Sequence, residues 1–199
     1  MDPVFTLPYS EYAVVEEISQ HLGKKEGFSI YVPASRQEKN VDFLVHSTTG
    51  NKSVRFQVKS SRSYVTDDPR QLDRGHLKYT LWFSNFRNKY SPGNAEYYIL
   101  FGLYPHTVNS AVRSRSESWL PLILCIPDIE MGAILDSVKT KKEGKPDKFF
   151  YVSFDTPDRA YGTRGFPSPR DLTKYLLKGQ IANIKKELTS NTAIKATGL

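Results

Sequence analysis

Two short runs, Val41-Asp42-Phe43-Leu44-Val45 and Val54-Arg55-Phe56-Gln57-Val58-Lys59, constrain this chain more than anything else in it. Both alternate apolar with polar residues and are rich in branched and aromatic side chains, the pattern of half-buried strands. The polar segment between them carries Gly50 and Asn51, residues that accept the positive φ of a tight turn. The two runs therefore form an antiparallel hairpin. With Thr49-Gly50 as the turn, Asp42 faces Gln57; with Gly50-Asn51, it faces Lys59. In either register the two-residue period puts Asp42, Gln57 and Lys59 on one face of the sheet. Val41, Phe43, Val45, Val54, Phe56 and Val58 take the other face, which is a core surface. Folding alone gives no reason for an acid, an amide and an amine to gather opposite it.

Phosphodiester hydrolysis gives one. Carboxylate and amide oxygens are hard ligands that suit Mg²⁺, which binds through few protein groups and keeps several waters. A bound divalent ion polarises the scissile phosphate and acidifies a coordinated water. An ammonium beside it can hold the attacking water or stabilise charge that develops on the phosphorane oxygens. A solvated strand face that happens to carry an acid and a lysine is the plainer account of the same residues.

Asp42 followed by Gln57-Val58-Lys59 at the end of the next strand resembles the PD-(D/E)XK nuclease superfamily, in a Q-x-K form. The resemblance covers the first third of the chain well and the middle more loosely. It implies a restriction-endonuclease-like core of α/β class: an opening helix, an antiparallel meander, a crossover helix and a parallel strand, in a mixed central sheet flanked by helices. It implies Asp42 as the main metal ligand, with Gln57 and the Val58 carbonyl completing the shell, and Lys59 as the group that orients water or stabilises the transition state. Mg²⁺ is the implied cofactor, with Mn²⁺ as a substitute. Two departures stand out. Gln57 replaces the second acid and removes one negative charge from the metal shell, and Val41 stands where the pattern has proline.

The resemblance also implies an acid on the first helix. Over residues 8–22, Val14, Val15, Ile18 and Leu22 recur at helical spacing. Counting back along that stripe reaches Glu11, which faces inward, while Glu16 and Glu17 fall toward the side or the solvent. A carboxylate at a helix start is also favoured by the helix dipole alone. Glu11 is the first candidate and Glu16 the reserve.

The chain has 199 residues, enough for a single domain spanning 1–199, with residues 189–199 as a frayed tail. Its 28 Lys and Arg against 21 Asp and Glu leave a net charge of +7, which suits a DNA partner through nonspecific attraction to phosphates. Ser60-Ser61-Arg62-Ser63-Tyr64 follows Lys59 and offers hydroxyls and a guanidinium at the mouth of the site. Arg113-Ser114-Arg115-Ser116 forms a second basic stretch on a loop. No segment has the length or apolarity of a membrane span, no leader pattern opens the chain, and Cys125 is the lone cysteine, so a cytoplasmic location is expected. The four histidines show no metal-ligand spacing.

Strands are expected over 78–83, 97–103, 122–126 and 149–154. Helices are expected from Asp128 to Val138 and over 172–188, and a basic loop over 139–148. Residues 62–77 show no strong helix, so the implied crossover helix is either short or displaced to Asp128. The expected activity is that of a metal-dependent endonuclease that hydrolyses DNA, of bacterial restriction, defence or repair type. A homodimer would account for cutting both strands of a duplex. The alternatives are a nucleic-acid-binding module that has lost cleavage, which Gln57 favours, and an interaction protein with no nucleic-acid role.

Overall fold

The computed structural model describes residues 9–33, 40–66, 70, 76–106, 118–137, 140–142, 145–146, 149–163 and 169–190. The chain opens with helix α1 (Tyr9–His21), a 3-10 turn, and strands β1 (Phe28–Tyr31), β2 (Phe43–Ser47) and β3 (Lys52–Val65). Then come β4 (Tyr79–Ser84), the one-turn helix α2 (Phe86–Lys89), β5 (Tyr97–His106), β6 (Ser118–Pro127) and helix α3 (Asp128–Ser137). After a small hairpin of β7 (Thr140–Lys142) and β8 (Lys145–Pro146) follow β9 (Phe149–Phe154), β10 (Tyr161–Gly162), β11 (Arg170–Asp171) and helix α4 (Leu177–Thr189).

The hairpin forms in the first of the two possible registers, with Phe43 opposite Phe56 and Ser47 opposite Lys52. The positive φ of its turn falls on Asn51, at 45°. Gly50 is required for a different reason. A Cβ there would lie 2.0 Å from the Leu188 carbonyl oxygen, so the end of α4 docks against the turn by backbone approach.

The α/β expectation is corrected. Nine strands join into one sheet that is predominantly antiparallel, in the order β1-β2-β3-β4-β9-β10-β11, with β5 beside β3 and β6 beyond β5. Beside β3, residues Tyr97–Leu103 of β5 run in the same direction; every other described pairing is antiparallel. Four α-helices are described, one of a single turn, and they do not layer a doubly covered α/β sheet. The reason lies after Lys59. Ser61, Ser63 and Val65 alternate with Arg62 and Tyr64, which extends β3 to 14 residues where a turn into a crossover helix was expected. The chain then returns as β4, and Ser63 to Val65 pair with Leu81 to Tyr79. The expected loop over 139–148 contains the β7–β8 hairpin, and the last expected helix divides into a 3-10 turn at Thr173–Tyr175 and α4. Residues 113–116 and 191–199 lie outside the described residues.

Two cores result. In one, Phe43, Val45, Val54, Phe56 and Val58 pack with Tyr97, Ile99 and Phe101 of β5 under Val14, Ile18 and Leu22 of α1 and Leu177, Ile181, Ile184 and Leu188 of α4. Phe43, Phe56 and Tyr97 stack in series across three strands, at 4.8 and 5.5 Å between centroids. In the other, Tyr98, Leu100, Leu122, Leu124 and Ile126 meet Leu81, Phe83, Phe150, Val152 and Phe154, with α3 contributing Met131, Ile134 and Leu135. Gly102 permits the layers to close, because a Cβ there would stand 2.3 Å from Leu81 Cδ2.

Gly50→Ala should lower stability by about 1–3 kcal/mol, because a helix backbone cannot step aside as a side-chain tip can. Gly23→Ala, whose Cβ would meet nothing within 4 Å, should change it by less than about 0.5 kcal/mol. Urea midpoints of the two variants check this.

Candidate functional site

Lys59 is the centre of the site, and its environment follows from where β2 stops. The β2–β3 ladder ends at the Phe43–Phe56 pair, and Lys59 lies three residues beyond it, opposite Leu100 of β5. On the β5 side, Tyr98 and Leu100 are both fully buried. A long cationic side chain placed there loses part of its water. Burial is the largest influence on the Lys59 ammonium and holds its pKa below the ordinary 10.5. The Asp42 carboxylate opposes that pull, the Lys89 ammonium adds to it, and the Glu11 carboxylate opposes it.

Asp42 sits immediately before β2, not within it as expected. Its backbone N–H donates to the Phe56 carbonyl at 2.9 Å, and its Oδ2 accepts from the Val58 N–H at 2.6 Å. Backbone and side chain are thus both tied to β3, which fixes the carboxylate at the residue before Lys59. Gln57 is buried at 4% exposure, an unusual place for an amide. Its Nε2 donates a long bond of 3.4 Å to Asn40 Oδ1. Asn40 itself holds a positive φ of 79°, a conformation that asparagine tolerates better than most residues and that turns the chain into Asp42.

Glu11 lies in the first turn of α1 and is half-buried, as its place on the apolar stripe predicts. Glu16 is exposed on the outer side of the helix, and the Ser19 hydroxyl donates to its carbonyl at 2.7 Å. Of the two carboxylates considered, Glu11 is the one that acts on Lys59. The carboxylates of Asp42 and Glu11 both act electrostatically on Lys59, and Gln57 lies one residue from the Val58 N–H that holds Asp42.

Lys89 is the residue that sequence reading missed. It ends a helix of four residues, too short to announce itself by periodicity. Its placement is built by its neighbours. Phe86 is buried in the second core, Arg87 reaches Asp136 at 2.7 Å, and Tyr90 donates to Asp128 Oδ1 at 2.9 Å. Gly93 N–H also donates to Asp128, at 2.9 Å, and Tyr98 donates to the Ser91 carbonyl at 2.8 Å.

The hydroxyls expected at the mouth of the site are spent on the fold. Ser61 Oγ accepts from the Trp82 N–H and donates to the Trp82 carbonyl, each at 2.7 Å, and Ser63 donates to the Leu103 carbonyl. Two open clefts, one beside α1 and β1 and one around Arg55 and Asp128, are lined by other residues. No helix among the described residues is long and apolar enough to cross a membrane. Comparisons with protein-family models, with curated proteins and with solved structures give no match to this chain.

The lowered Lys59 pKa makes stability depend on pH in a definite sense. Below both values the amine is charged in the folded and unfolded chain, and the folded state bears the full desolvation cost. Between the folded value and 10.5 the unfolded chain binds more protons, so stability rises with pH. Lys59→Met removes the buried charge and keeps the apolar stem. It should leave the urea midpoint at pH 7 unchanged or raised, and the difference between variant and wild-type midpoints, followed from pH 7 to pH 10, should shrink as the Lys59 contribution is released.

Proposed function

We propose that this protein is a metal-dependent nuclease that hydrolyses DNA phosphodiester bonds at the site built by Glu11, Asp42, Gln57 and Lys59. The observation that supports it is the half-buried Lys59 amine, influenced at once by carboxylates from α1 and from the start of β2. Charge is not brought out of water for stability's sake, since an apolar residue of similar volume would serve the fold as well or better. Perturbed lysines of this kind concentrate where chemistry is done.

The donor set suits Mg²⁺. Two carboxylates and a buried amide oxygen are hard ligands, and Mg²⁺ takes few protein groups and keeps its remaining waters. Among the described residues no group of three or more His, Cys, Asp or Glu side chains that could hold a metal ion is present. Asp42, Glu11 and Gln57 Oε1 would hold it, and when bound it would polarise the phosphate and acidify an attacking water. Lys59, with its proton held less tightly than usual, would accept a hydrogen bond from that water as amine or donate one to a phosphate oxygen as ammonium. The Val58 N–H keeps Asp42 turned toward the site. Lys89 would draw the phosphate backbone in without reading sequence.

The second reading, a binding module of the same architecture without cleavage, rests on Gln57, which leaves the site one negative charge short of two acids on neighbouring strands. The experiment that separates them is cleavage of supercoiled plasmid and of a linear duplex with Mg²⁺ or Mn²⁺. Wild type should cut only with metal, and Asp42→Asn, Glu11→Gln and Lys59→Met should each lose about a hundredfold or more. Gln57→Glu should lower the metal concentration needed for half-maximal cutting. Binding that persists in all four variants with no cutting by wild type on either substrate would establish the module instead. Lys89→Ala should raise KM severalfold and, by letting the Lys59 pKa rise, should also shift the pH dependence of kcat upward.

A further inference from the structure

The outer face of the second half of the sheet carries a row of aromatic rings that neither core uses. Tyr64 of β3, Trp82 of β4 and Tyr151 of β9 stand side by side on three adjacent strands. Tyr64 and Trp82 lie 4.4 Å apart at 31°, and Trp82 and Tyr151 stack at 4.8 Å and 11°. Phe149 meets the row edge-on, 6.2 Å from Trp82. Cross-strand pairing explains why these rings touch one another. It does not explain why Tyr64 keeps 48% and Trp82 40% of its surface in water, while Leu81, Phe83, Phe150 and Val152 on the opposite face are buried.

Charge narrows what the row can receive. Arg62, two residues before Tyr64 on the same face of β3, is exposed, and the chain as a whole carries +7. The acid at the end of β9, Asp155, is engaged at 2.6 Å by the Lys78 N–H. Flat rings at strand spacing, next to a guanidinium on a basic protein, match a ligand made of π-faces joined by anions. We propose that Tyr64, Trp82 and Tyr151 form a stacking platform for the bases of single-stranded nucleic acid, with Arg62 on its backbone. Stacking on aromatic side chains is the sequence-tolerant way in which proteins hold unpaired strands. The platform goes beyond the cleavage reading, and binding to it needs no metal.

The test uses the Trp119→Phe chain, in which Trp82 is the remaining tryptophan. It is titrated in EDTA at low salt with twelve-nucleotide oligo-dT, with oligo-rU and with a duplex of equal length. Saturable quenching of Trp82 emission by the single strands is expected, and the quenching should weaken as salt is added. Adding Trp82→Ala should loosen single-strand binding about tenfold, measured with a labelled oligonucleotide, and leave duplex binding unchanged. Trp82→Phe should retain most of it. The dT and rU arms decide between DNA and RNA as the source of the strand. Saturable binding with unaltered Trp82 emission would overturn the platform, as would absence of single-strand binding at low salt. A Trp82 signal that instead follows protein concentration would assign the face to a second copy of the chain. The titration is run in EDTA and reads the platform alone, while metal-dependent plasmid cleavage reads the Lys59 site, so failure of the catalytic site and failure of the platform give different results.

Discussion

Everything in this fold hangs on one long strand. β3 has β2 beside its first residues, β5 beside its middle from Phe56 to Arg62 and β4 beside its last residues, so a single alternation of side chains must satisfy two different cores. Val54, Phe56 and Val58 supply the core under α1 and α4, and the opposite face of the same residues sets Gln57 and Lys59 beside Tyr98 and Leu100. A slip of one residue would exchange the two faces and place Lys59 under the helices. The register is therefore held from several directions. Arg55 forks onto Glu96 with contacts of 2.6 and 3.1 Å, while its own N–H donates to the same carboxylate and its carbonyl accepts the Glu96 N–H. Burial raises the Glu96 pKa, but the Arg55 hydrogen bonds outweigh it and keep the carboxyl below the ordinary range. That pair locks the start of β5 against β3.

The hairpin and its apolar face were legible in the sequence because period-two alternation is a direct imprint of a half-buried strand. The register was not, since both Gly50 and Asn51 can serve a turn. What decides it is tertiary: Asn51 takes the positive φ, and Gly50 is reserved for contact with Leu188. Glu11 was legible from the helical stripe, and Glu16 falls outside it for the same reason. Lys89 left no trace, because a one-turn helix has no periodicity and its placement depends on Asp128 and Asp136, some forty residues on.

The misread was the class of the fold, and its cause is specific. Ser61, Arg62, Ser63 and Tyr64 are too polar to stand out as strand, yet their alternation continues that of Gln57-Val58-Lys59 without a break. Thr80, Trp82 and Ser84 on β4 answer them in the same period. A resemblance built on four residues near the hairpin carried no information about where the chain goes after Lys59.

The contact between Gly50 and Leu188 joins the first hairpin to a helix far along the chain. The first hairpin emerges from the ribosome well before its cover, because the face formed by Phe43, Val45, Val54 and Phe56 is roofed in part by Ile181, Ile184 and Leu188 of α4. Such distant pairings are slow to close, because the entropy of a long loop is lost before the contacts form. Without α4, the strand that carries Lys59 lacks part of the apolar cover over Val54, Phe56 and Val58. The closing of the first core thus depends on a helix far along the chain from the hairpin it covers.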